Sequence, residues 1–120
     1  MPIEMREESG GKVLEVELIG TLVKADYPPL IGEFRRLAGL YGKIRVLLDM
    51  SSFHGWEPGA LWEEMKFDLQ HLDEMERLAV VGDTKWEHAI AELAKAVFPS
   101  ATRYFDIEDA AQARAWIAGP

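Results

Sequence analysis

The run Ile44-Arg45-Val46-Leu47-Leu48 is nearly continuous in apolar residues and stops at Asp49. A strand that is apolar on both sides needs cover above and below, and a parallel sheet between helices provides it. Leu78-Ala79-Val80-Val81 has the same character and is stopped by Gly82-Asp83. Two such strands, separated and flanked by stretches of helical period, commit the chain to βαβ units.

The remaining elements follow in order. Ile3 to Glu7 and Val13 to Ile19 alternate apolar and polar residues across the turn signal Ser9-Gly10-Gly11, which predicts a half-exposed β-hairpin at one sheet edge. Gly20 to Tyr27 reads as a connection. Pro28 and Pro29 open a helix whose stripe is Leu30, Ile31, Phe34, Leu37, Ala38 and Tyr41, and Gly42 ends it. A second helix is expected from Pro58 to Leu72, burying Leu61, Trp62, Met65 and Leu69, with Phe67 off that stripe. A third is expected to start at the capping box Thr84/Glu87 and to stop at Phe98-Pro99. Thr102 to Phe105 forms a last strand, and Asp106 is placed to cap a terminal helix with Ala110, Ala113, Trp116 and Ile117 inward. The expected architecture is α/β: a mainly parallel sheet of about five strands, its N-terminal hairpin at one edge, with about four α-helices. Residues 1–120 read as one domain.

Composition removes several functions. Thirteen basic against 21 acidic residues leave a net charge of −8, and no basic cluster exceeds Arg35-Arg36. Neither a sequence-independent grip on nucleic acid nor attraction to an anionic membrane is expected. With no cysteine there is no disulfide, thiolate metal site or cysteine nucleophile. No apolar run approaches the length of a membrane span and no signal-peptide pattern opens the sequence, so a cytoplasmic location is the expectation.

In an open α/β sheet ligands lie beyond the carboxyl ends of the parallel strands. Three predicted loops meet there: Asp49 to Gly59, Gly82 to Lys85, and the turn at Asp106. Asp49, Ser51, Ser52 and His54 are neighbours in one loop without a G-x-S-x-G elbow, so no catalytic residue is assigned. Asp49, Gly55, Pro58, Gly59 and Asp83 are read as residues that shape the loops. His54, His71 and His88 keep no metal-ligand spacing, and no metal or cofactor is expected. Gly82-Asp83-Thr84-Lys85 opens a helix but lacks the phosphate-loop pattern, and Asp83 would repel a phosphate. The aromatics are more informative. Phe53, Trp56, Trp62, Phe67 and Trp86 flank two of these loops. Aromatics dominate cores, so core packing is one reading; an apolar pocket at the sheet edge, rimmed by His54, Trp56 and Glu57, is the other.

Leu47-Leu48-Asp49 through Phe53-His54-Gly55-Trp56, followed by Gly59-Ala60-Leu61-Trp62-Glu63, resembles the SpoIIAA-like family of small bacterial proteins. So do Arg77-Leu78-Ala79-Val80-Val81-Gly82-Asp83 with Lys85-Trp86-Glu87, and Arg103-Tyr104-Phe105-Asp106 with Ala113-Arg114-Ala115-Trp116. The resemblance implies a STAS-like sandwich related to anti-sigma-factor antagonists and to lipid-binding CRAL-TRIO domains. In the antagonists, a D-S-S-G loop carries a serine whose phosphorylation breaks binding to a kinase. The matching stretch here is Trp56-Glu57-Pro58-Gly59: the glycine is kept and the phosphoacceptor is absent. Ser51 and Ser52 lie several residues earlier.

The sequence reading is therefore a non-enzymatic binding module. His54, Trp56, Glu57, Trp62, Phe67 and Trp86 are the candidate ligand-binding residues, and a lipid or fatty-acid-like molecule is the expected ligand. The alternative is a STAS-type protein–protein interaction module. An open sheet edge would also suit a homodimer.

Overall fold

The computed structural model describes residues 3–8, 12–56, 75–83 and 101–120, with Trp56 described by its backbone only. Five strands form one sheet in the order β1 (Ile3–Glu8), β2 (Val13–Leu22), β3 (Ile44–Trp56), β4 (Met75–Gly82) and β5 (Thr102–Asp106). β1 pairs with β2 antiparallel, with Ile3 opposite Leu18 and Glu8 opposite Val13. The pairings β2–β3, β3–β4 and β4–β5 are parallel, so the sheet is mixed, with its one antiparallel strand at the edge as expected.

Successive residues of a strand point to opposite faces, and both faces are covered here. On one face lies α1 (Tyr27–Tyr41), whose Leu30, Ile31, Phe34 and Leu37 pack on Leu14, Val16, Val46, Leu78 and Val80. On the other lies α2 (Ala110–Ala118), with Ala113 and Ile117 against Val13, Leu47, Ala79, Val81 and Phe105. β3 and β4 thus alternate between two apolar cores, which is why their sequences show no polar side.

Four expectations need correction. Two α-helices occur among the described residues, against about four expected; the stretches expected to form the other two, 58–72 and 84–98, lie outside those residues. β2 was expected to be half-exposed, yet Val13 to Val16 are all buried, Glu15 included at 6% exposure, because α2 covers the face that the alternation would give to water. Tyr41 was placed on the inner stripe of α1 but is 43% exposed, since the helix runs one further turn past Leu37, the last fully buried position. Asp106 was expected to cap the terminal helix. Instead a 3-10 turn, Ile107–Asp109, intervenes, and neither Asp106 nor Asp109 makes a side-chain cap bond.

Local chemistry sets the remaining boundaries. The prolines occupy the first turn of α1, where their missing N–H leaves no helical bond unmade. Gly42 ends the helix at φ +80°, donating its N–H to the carbonyl of Ala38 at 2.8 Å. Before α1, a 3-10 turn (Lys24–Asp26) is closed by the Asp26 carboxylate, which accepts the Val23 N–H at 2.8 Å.

Candidate functional site

The carboxyl edge of the sheet differs from expectation in one major respect. The stretch Asp49 to Trp56, expected as part of a loop, continues β3. β4 accompanies β3 only as far as Asp49, opposite Val81, while β2 runs with it to the pair Leu22–Trp56. Gly20 to Leu22, expected as connection, is drawn into the same ribbon. Loop-like composition is thus compatible with a strand when a partner supplies the ladder.

The ribbon is irregular in a specific way. From Glu17 to Leu22, β2 advances five residues, while β3 advances seven from Asp49 to Trp56. The two extra residues form β-bulges, one between the pairs Glu17–Asp49 and Ile19–Ser52, the other where pairing steps from Phe53 to Gly55 past His54. The Asp49 carboxylate accepts the Ser51 N–H at 2.9 Å across the first bulge. Gly55 follows the second at φ +131°, a conformation that residues with a Cβ rarely adopt. As a result Ser51, Ser52 and His54 are exposed, whereas Phe53 is 3% exposed and belongs to the core beneath α1.

β4 ends at the same edge. Its last residue, Gly82, is buried, and the Tyr104 hydroxyl of β5 donates to the carbonyls of Gly82, at 2.6 Å, and Asp83, at 3.2 Å. A Cβ on Gly82 would meet Met50 at 3.6 Å, so the exit of β4 is close-packed against β3. Tyr104 was not singled out from the sequence, where it is one aromatic in a short strand. Among the candidate residues, His54, Asp49, Gly55 and Asp83 are described in full, and Trp56 by its backbone. Glu57, Pro58, Gly59, Trp62, Phe67 and Trp86 lie outside the described residues.

A second polar constellation lies on the α2 face and was also missed. The Glu15 carboxylate receives the two terminal nitrogens of Arg114 at 2.6 and 2.7 Å, and Arg6 of β1 at 2.9 Å. Hydrogen bonding from Arg114 is the main cause that holds Glu15 down at about 2, against the opposing effect of burial; Arg6 adds to it. The same contact raises the pKa of Arg114. Two further arginines close the far end of α2. Arg77 donates to the carbonyls of Trp116, at 2.6 Å, and Gly119, at 3.3 Å; Arg45 donates to those of Ile117, at 3.0 Å, and Gly119. They satisfy carbonyls that a helix terminus leaves unpaired and place positive charge at its negative end. Trp116 is half-buried, with the Arg77 guanidinium 5.3 Å and the Phe105 ring 5.9 Å from its own ring centre. These groups bind one another and hold the helix down; they present no reacting arrangement.

No group of three or more His, Asp or Glu side chains among the described residues is arranged to hold a metal ion. No helix among them is long and apolar enough to cross a membrane.

The mixed five-stranded sheet with a helix on each face, and the bulged strand at its carboxyl edge, define an α/β protein of the SpoIIAA-like, STAS-like class. The SpoIIAA-like family model matches residues 13–118, and the chain belongs to that family. An uncharacterized protein of the DUF3478 family with a SpoIIAA-like fold, from Shewanella loihica PV-4, is similar in structure with a TM-score of 0.69. It is 24% identical, over 96% of this chain and 91% of that one. No curated protein matches the sequence.

Proposed function

We propose that this SpoIIAA-like protein is a non-enzymatic binding module that takes up a small apolar molecule, a lipid or fatty acid, at the carboxyl edge of its sheet. The observation that carries the reading is the extension of β3 beyond β4. It brings exposed His54 and the backbone of Trp56 to the edge where ligands of open α/β sheets lie. The chain then enters the stretch holding Glu57, Trp62 and Phe67, and Trp86 follows the neighbouring β4 exit. In this reading the aromatics provide apolar area while His54 and Glu57 anchor a polar head.

Native mass spectrometry of protein purified gently from its own host, followed by organic extraction, tests it. A reproducible added mass that partitions into solvent and is lost in Trp56→Ala is the expected result. A clean apo mass from the host would count against it. The same spectrum reports whether the chain is a homodimer.

A second reading, a STAS-type protein-interaction module working without the phosphoacceptor serine, is favoured by the exposure of Ser51, Ser52 and His54 along one ribbon. Loss of a captured protein partner in Trp56→Ala, with lipid uptake unchanged, would put this reading first.

A further inference from the structure

The opposite, amino edge of the sheet holds a cleft of ≈ 560 Å³. It is walled by Lys12 and Val13 at the start of β2, Tyr41 at the end of α1, and Lys43 and Arg45 at the start of β3. Glu76 of β4, Ala118 at the end of α2, and Gly119 and Pro120 beyond that helix complete it.

The charges here do not cancel. Arg45 is committed to Glu76, with its Nε 2.7 Å from the carboxylate, and to the carbonyls of Ile117 and Gly119. Neither Lys12 nor Lys43 enters an ion pair among the described residues, and both are exposed. Nor do the helix ends call on them. The carbonyls at the end of α2 are taken by Arg45 and Arg77, and at the end of α1 the N–H groups of Gly42 and Lys43 reach the carbonyls of Ala38 and Tyr41. Two cations without an ion pair among the described residues thus flank one cleft in a chain whose net charge is −8. Between them lies apolar surface: the half-open Tyr41 ring and the exposed Ala118.

We propose that this cleft is a binding site for a small organic anion with an aromatic or short aliphatic body. The Lys12 and Lys43 ammonium groups take the anionic group, and Tyr41 and Ala118 take the body. Lysine suits this task because its ammonium is a point charge on a flexible stem, able to reach a ligand without fixed geometry. The site is separate from the carboxyl edge and stands or falls independently of the lipid reading.

Anilinonaphthalene sulfonate, an aromatic anion, is the probe, titrated into the full chain while amide NMR shifts are followed. Binding is expected to move the signals of Lys12, Val13, Tyr41, Lys43 and Gly119, and to weaken as salt is raised. Lys12→Gln/Lys43→Gln should weaken it by about tenfold, the scale set by two exposed charge contacts. Lys12→Arg/Lys43→Arg, which keeps the charges, should retain it, and Trp56→Ala should leave it unchanged. Shifts confined to Ser52–Trp56, no saturable shifts at all, or equal affinity in the glutamine and arginine variants would overturn the proposal.

Discussion

Arg114 of α2 grips Glu15 of β2 through both ends of its guanidinium fork, across ninety-nine residues of sequence. The carboxylate is 6% exposed and the arginine partly open to water, so burial falls mainly on the acid. Removing the arginine is therefore more harmful than its own exposure suggests, because a buried anion loses its principal partner.

Arg114→Met should destabilise the fold by about 2 kcal/mol, less than for a fully buried pair because Arg6 remains and water reaches the site. Urea denaturation at neutral pH measures this. Arg6→Met, at a largely exposed residue, should cost distinctly less. Pairing Arg114→Met with Glu15→Met should recover much of the loss, since the charge to be compensated is then gone.

The same contact makes stability depend on acidity. Glu15 has its pKa lowered from 4.5 to about 2, so the unfolded chain takes up this proton first as pH falls. Its contribution is full above about pH 4.5 and is lost as pH drops toward 2, by up to about 3 kcal/mol. Denaturation curves at about pH 6, above that window, and at about pH 3, well inside it, should separate less in Glu15→Gln than in the parent. Equal separation would sink this assignment.

Gly55 and Gly20 both have positive φ, at +131° and +68°. Gly20 lies in the left-handed region, where a Cβ costs about 1 kcal/mol. Gly55 is farther from any well open to alanine, and Gly55→Ala should cost about 2 kcal/mol, the larger of the two. Thermal denaturation of the two alanine variants gives the order directly.

The Tyr104 hydroxyl bonded to the Gly82 carbonyl should contribute about 1 kcal/mol, which Tyr104→Phe removes. Hydrogen exchange should quicken at the exit of β4 first, because the contact ties that exit to β5.

How much of this could be read from the sequence depended on whether neighbours in space were also legible. The apolar runs Ile44–Leu48 and Leu78–Val81 needed no tertiary knowledge, since residues apolar on both sides are buried whatever covers them. The antiparallel pairing of β1 with β2, the stripe of α1 as far as Leu37 and the glycine after that helix were local and held. Glu15 was misplaced because an alternating strand looks the same whether its polar face meets water or an arginine from a distant helix. The extension of β3 was hidden for a related reason: Ser51, Ser52, His54 and Gly55 have turn composition, and only the ladder to β2 keeps them extended. At the candidate site, the sequence located the carboxyl edge and the position of His54 on it. It did not foresee the two bulges that expose His54 while burying Phe53.

Because a chain is made from its amino end, Glu15 meets its partners at different times. Arg6 precedes it by nine residues and is present from the start. Arg114 is added ninety-nine residues later, after every strand has been synthesised. Until then the surface around Glu15 has no α2 over it, and the carboxylate keeps its water. The docking of α2 both dehydrates this acid and supplies the charge that makes dehydration tolerable, so the two events are completed as one late step of assembly.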